Sequence, residues 1–194
     1  LILCIFAITV PAQRPPPPPS PPKVTEASNA SIYVRAAIPL AENCHSVDWS
    51  KARNRLLVDR TGIDRYFNIY SLRPNGSGLR LKTPGDEVNL SRGHQTNPAW
   101  SPDGRYFIFT SQNANSTTFR GSMPRQSLNS NLWLAETQKM LFWKLTDAPT
   151  RFRNPRGMVN PFFSPDGHQI VWSGSTGRYP DASAWGEQIG RAHV

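Results

Sequence analysis

The sequence predicts an all-β chain of repeated four-stranded antiparallel sheets, on three observations. The first is a repeat. Asn97–Ser111 reads NPAWSPDGRYFIFTS and Asn160–Ser173 reads NPFFSPDGHQIVWS. With Pro98 laid on Pro161, the residues Asn97, Pro98, Ser101, Pro102, Asp103 and Gly104 return as Asn160, Pro161, Ser164, Pro165, Asp166 and Gly167, and Trp100 falls on Phe163. The second is the chemistry at the centre of the repeat. Proline presets its φ, aspartate bonds its own backbone and glycine accepts a positive φ, so Ser-Pro-Asp-Gly is a turn. The third is the flanks. Ala99-Trp100 before the turn and Tyr106–Phe109 after it are consecutive apolar residues, which predicts short strands buried on both faces. Hairpins of this kind, repeated along a chain and covered on both faces, fit blades around an axis: a partial β-propeller of about two and a half four-stranded blades.

A weaker copy lies upstream. Val47-Asp48-Trp49-Ser50 followed by Asn54–Val58 keeps the Trp-Ser and lacks the Pro-Asp-Gly, with Trp49 standing 51 residues before Trp100. The two strong copies resemble the WD-like repeat of TolB-type β-propellers, which also occurs in the propellers of prolyl-oligopeptidase-type and tricorn-type peptidases. The resemblance covers about residues 42–188. It implies a propeller that works by binding, and in the peptidases one that filters or recruits peptide substrates.

Leu1–Val10 is an uninterrupted apolar run, too short to span a bilayer and suited to a signal-peptide core, with small residues near Ala12 for cleavage. Residues 1–12 are therefore expected to be a signal-peptide remnant. Residues 13–41 follow as a proline-rich linker, extended over Pro15–Pro22, with a possible edge strand at Ser31–Arg35. Residues 42–188 are expected to hold the blades. Blade one is predicted as His45–Trp49, Arg55–Asp59, Tyr66–Leu72 and Leu79–Lys82. Blade two is predicted as Pro98–Ser101, Tyr106–Ser111, Asn131–Glu136 and Leu141–Leu145, with Gln112–Ser130 as a long polar insertion. Blade three is predicted as Pro161–Ser164, Gln169–Ser173 and a third strand starting near Ala184. Closed propellers have about four blades or more, so the chain is expected to be part of a longer protein. Ile189–Val194 reads IGRAHV, the in-frame translation of a common sequencing adapter, and residues 189–194 are expected to be a non-native tail.

Composition excludes several functions. Of the two cysteines, Cys4 lies in the apolar run, which leaves Cys44 alone and no disulfide framework or cysteine-based zinc site. The net charge is +9 and the pI about 10.2. The arginines are scattered without aromatic interleaving, which disfavours nucleic acid. There is no Gly-X-Ser-X-Gly elbow, no His-Glu-X-X-His and no phosphate loop. Ser20–Lys23 matches Ser-X-X-Lys by letter only, inside the proline spacer. His45, His94 and His168 hold non-equivalent places in the repeats, so no shared metal site or cofactor is expected. Asp103 and Asp166 are explained by their turns. Trp49, Trp100 and Phe163 are expected as aromatic wedges between blades.

Strand order then places a partner. The Ser-Pro-Asp-Gly turns gather at one end of the blades. The inter-blade links and the loops between second and third strands gather at the other. That loop end is expected to carry Arg92, Arg120, Arg125, Arg151, Arg153 and Arg156. Long loops on a rigid scaffold are the usual working surface of such folds. The leading reading is an exported, non-catalytic propeller, periplasmic or extracellular, whose partner is a protein or cell-envelope component, acidic by preference. The alternatives are the substrate-filtering propeller of a peptidase and a glycan-binding propeller.

Overall fold

The computed structural model describes residues 38–84, 90–114, 116, 127–151, 157–175 and 188–193. The apolar leader, the proline-rich linker up to residue 37 and the proposed Ser31–Arg35 strand lie outside the described residues.

Among the described residues eleven strands follow in order: β1 (Cys44–Ser50), β2 (Arg55–Thr61), β3 (Phe67–Leu72), β4 (Arg80–Leu81), β5 (Gln95–Trp100), β6 (Tyr106–Gln112), β7 (Ser130–Glu136), β8 (Phe142–Lys144), β9 (Gly157–Phe163), β10 (Gln169–Ser175) and β11 (Gln188–His193). They form three antiparallel sheets: β1-β2-β3-β4, β5-β6-β7-β8 and β9-β10-β11. Each sheet is a blade, and the chain zigzags outward from its first strand. No helix occurs among the described residues.

The repeat holds at the level of register. Trp49 faces Leu56 across β1 and β2, Trp100 faces Phe107, and Phe163 faces Ile170. These pairs superpose under the spacing read from the sequence, including the weak first copy. All three first hairpins also slip register at one corresponding place, between Cys44 and Val47, between Thr96 and Ala99, and opposite Val171–Ser173. In blades two and three the slip is the Asn-Pro of the repeat. Asn97 and Asn160 adopt positive φ, 54° and 50°, and asparagine tolerates this better than most residues. The first strands of blades two and three therefore start earlier than Pro98 and Pro161. A proline in the strand signalled a strand end, but here it sits in a β-bulge, where the missing N–H costs no ladder bond.

The core lies between the sheets. Leu57 and Ile69 of blade one pack with Trp100, Phe107, Phe109 and Ala135 of blade two. Ala99, Ile108 and Leu134 on the opposite face of blade two pack with Ile170 of blade three, with Phe163 and Trp172 alongside. Blade two is thus covered on both faces, which is why β6 is buried at Phe107, Ile108 and Phe109 in succession. The outer faces are less covered: Val47, Trp49 and Phe162 are 64%, 58% and 57% exposed. Trp49 holds the same register position as Trp100. Its counterpart Trp100 faces the preceding blade, and the described residues place no sheet on that side of blade one.

The third strand of blade three begins at Gln188 rather than near Ala184. β11 pairs with β10 from Gln169↔His193 to Gly174↔Gln188. Backbone pairing of this kind accepts almost any sequence, so a strand here is compatible with a foreign tail.

Candidate functional site

The two ends of the blades are built differently. At the turn end, each Ser-Pro-Asp-Gly is tied to itself. Ser101 Oγ donates to Asp103 Oδ1 at 2.6 Å, and the Arg105 amide donates to the same oxygen at 2.9 Å. Burial pushes the Asp103 carboxyl up, but these two hydrogen bonds together with the Arg105 charge hold the group below the ordinary aspartate value. Ser164 Oγ bonds Asp166 in the same way and the His168 amide donates at 3.0 Å, which holds Asp166 low as well. One oxygen of each carboxylate is spent on its own turn. The turns also stack blade on blade. Arg53 Nε donates to the Gly104 carbonyl at 3.0 Å, and a Cβ on Gly104 would lie 2.5 Å from Arg53 Cγ. Gly104 has φ +69°, so glycine is required there twice over.

Between the turns of blades two and three lies a cleft of about 430 Å³. Tyr106, Leu134, Trp143 and Phe163 form its apolar wall, and Asp103, Asp166 and His168 stand at its rim. Trp143 is 43% exposed. The cleft can take an apolar side chain. His94 is not available as a base at Nδ1: that nitrogen accepts the Phe67 amide at 3.2 Å, and burial holds the imidazole below its ordinary pKa.

At the loop end, Arg92 and Arg151 are both exposed, in the links that enter blades two and three. Arg120, Arg125, Arg153 and Arg156 lie outside the described residues. The roots of the second link are clamped by asparagines. Asn129 bonds both backbone groups of Arg151, accepting from its N–H at 2.9 Å and donating to its carbonyl at 3.0 Å. Asn131 accepts from the Ala148 N–H at 2.6 Å, and Asn113 donates to the Ala148 carbonyl at 2.8 Å. The loop that carries Arg151 therefore leaves the scaffold from a fixed point.

No family model matches the chain, and no curated protein does. Solved structures do. A putative TolB from Agrobacterium tumefaciens matches with a TM-score of 0.55 at 18% identity, over 78% of this chain. The fold is that of a β-propeller, similar to this TolB structure. The chain spans 43% of that protein's length. TolB from Acinetobacter baumannii matches with a TM-score of 0.49 at 15% identity, over 78% of this chain and 30% of its own. An acylaminoacyl peptidase from Pyrococcus horikoshii matches with a TM-score of 0.44 at 12% identity, over 72% and 18%.

Within this propeller frame the residue that sequence reasoning missed is Asp59. It is buried, at 1% exposure. Its Oδ1 accepts the His45 and Ser46 amides at 3.0 and 2.6 Å, and its Oδ2 accepts Ser46 Oγ at 2.6 Å and the Asn97 amide at 3.1 Å. One carboxylate thus closes the bulge of blade one and ties it to the bulge of blade two. Asp48 makes a second tie, accepting the Trp100 amide at 2.6 Å. The signal was present as a lone acid directly after the apolar run Leu56–Val58, at the position of Thr110 in the repeat.

Proposed function

We propose that this chain belongs to an exported, non-catalytic TolB-type propeller that binds an acidic protein or other acidic component of the cell envelope at its loop end. The observation that supports it most is the asparagine clamp on Ala148 and Arg151. It roots the start of an arginine-bearing link on the sheet at Arg151, so that the backbone there would meet a partner with little ordering cost. Arginine forks bond both oxygens of a carboxylate, which favours an acidic surface. The apolar leader supports export.

The test compares two triple variants with wild type in pull-downs from envelope extract, at low and physiological salt. Arg151/Arg153/Arg156→Ala is expected to lose the partner. Lys51/Arg105/Lys139→Ala removes the same charge from exposed positions at the turn end and is expected to retain it. Equal loss in both reduces the effect to overall charge. Retention by the first variant removes the proposal.

A further inference from the structure

The turn end of blade one holds a second cleft, of about 450 Å³, lined by Arg53, Asn54, Arg55, Arg73, Pro74 and Asn75. Two turns build it, the one from β1 to β2 and the one from β3 to β4. The second is pinned by its own backbone: the Arg73 amide donates to the Ser77 carbonyl at 2.8 Å, and the Gly76 amide to the Arg73 carbonyl at 2.9 Å. Asn75 Oδ1 accepts from Ser77 N–H and Oγ at 3.0 and 2.8 Å, which leaves its NH₂ as the group free to donate.

The guanidinium groups are oriented but not satisfied. Arg53 spends Nε on the Gly104 carbonyl. Arg55 spends Nη2 on the Gly78 carbonyl at 2.8 Å and Ser71 Oγ at 3.3 Å. The Arg73 guanidinium makes no hydrogen bond among the described residues. Each guanidinium has five N–H donors, so most remain unspent. Two further cations, Arg80 and Lys82, stand close behind. Burial, then Arg80 and Arg73, holds the Arg55 pKa below its ordinary value. Burial, then Arg55, Arg80 and Arg53, does the same for Lys82. The ion pair among the described residues is Lys144 with Asp147, in another blade, so no described carboxylate neutralises these five groups. Like charges gathered in this way are destabilising, and an oxyanion that enters relieves the repulsion while filling the open donors.

We propose that this cleft is a binding site for a polyvalent oxyanion of the phosphate class, held by Arg53, Arg55 and Arg73 with the Asn75 amide. Three guanidinium groups around one space suit a group with several oxygens rather than a single carboxylate. Among the described residues Pro74 is the sole apolar residue in the lining and no aromatic ring lines it, so those residues offer nothing on which to stack a base. Recognition rests on the charged group, whether it arrives as a soluble polyphosphate or as a lipid phosphate headgroup. The site lies at the end of the blades opposite the arginine-bearing loops, and it goes beyond the partner-binding reading.

The experiment titrates the full chain with pyrophosphate by calorimetry, and separately with phosphatidylcholine vesicles with and without phosphatidic acid. Wild type is expected to bind pyrophosphate, phosphatidic acid vesicles or both. Arg73→Gln, which breaks no described hydrogen bond, is expected to weaken that binding about tenfold, the cost of one charge-assisted contact. Arg55→Gln/Arg73→Gln is expected to abolish it. Lys51→Gln/Lys139→Gln, outside the cleft with the same charge change, is expected to bind as wild type does. Binding to vesicles alone assigns the lipid headgroup, and binding to pyrophosphate alone assigns a soluble ligand. No binding to either probe, or equal weakening in the Arg73→Gln and Lys51→Gln/Lys139→Gln variants, overturns the proposal. The pyrophosphate and vesicle readouts do not involve the envelope partner, so this site and the loop-end reading can fail independently.

Discussion

Blades one and two share a register but close it with different chemistry. In blade two the bulge at Asn97-Pro98 is held by hydroxyls and an amide. Thr96, Thr110 and Ser127 lie within 2.8 to 2.9 Å of one another at oxygen, and Asn97 Nδ2 donates to all three. In blade one, which lacks the Asn-Pro, the same place is held by the Asp59 carboxylate, which accepts two amides and the Ser46 hydroxyl. The turns differ likewise. Blade two places glycine at φ +69°, whereas blade one reaches positive φ one residue later, at Asn54, with φ 48°. A repeat can therefore lose most of its signature and keep its geometry, provided that another group supplies the same hydrogen bonds.

The sharpest way to break the comparison is the tryptophan pair. Trp100→Ala should cost about 3–5 kcal/mol in denaturant unfolding of the full chain, because it empties a site between two sheets. Trp49→Ala at the equivalent position, 58% exposed, should cost about 1 kcal/mol or less. Similar losses would mean that Trp49 is covered by another part of the protein.

The bulges come next. Asp59→Ala strands three part-buried backbone amides as well as a hydroxyl, and should cost about 3 kcal/mol or more. Thr110→Ala should cost about 1 kcal/mol, since its neighbours can still bond one another. Equal costs would remove the claim that one carboxylate does the work of a hydroxyl cluster.

The turns give a smaller contrast. Gly104→Ala meets both the positive φ and Arg53, and should cost about 2 kcal/mol. Asn54→Ala should cost about 1 kcal/mol, from the backbone term alone. Adding Arg53→Ala to Gly104→Ala should recover part of the loss. Strict additivity in that cycle would mean that no contact exists between the two turns.

Acid provides the smallest effect. Asp103 has a lowered pKa in the folded chain, so its stabilisation is full above the unfolded aspartate value of 3.8 and is lost as pH falls through the lower folded one. Blade one carries Ala52 at that place and has no such step. His94 is also lowered, from 6.5, so its neutral form is favoured above that value and stability declines as pH falls below it. Hydrogen exchange as a function of pH should show the Tyr106 and Arg105 amides loosening at lower pH than the Phe67 amide. The reverse order would show that the hydrogen bonds assigned to Asp103 and His94 do not govern these steps.

Strand identity, the hairpin turns and the spacing between blades were set by local sequence: the apolar runs and the Ser-Pro-Asp-Gly turns have only short-range requirements, which the chain states outright. Even the degenerate first copy fell into place, because Trp49 and Ser50 kept their distance from the strand that follows. The Asn-Pro bulge was not legible, since proline signals both a strand end and a bulge, and only the neighbouring ladder distinguishes them. Nor was Asp59, whose partners lie 13 or more residues away and include Asn97 of the next blade. The arginine cleft was hidden for the same reason. Arg53, Arg55 and Arg73 are ordinary surface residues along the chain, and they converge because two turns separated by two strands arrive at the same end of one sheet. Local propensity acts through neighbours in sequence, whereas convergence of charge is a property of distance in space, and that distance was decided by the packing of the blades.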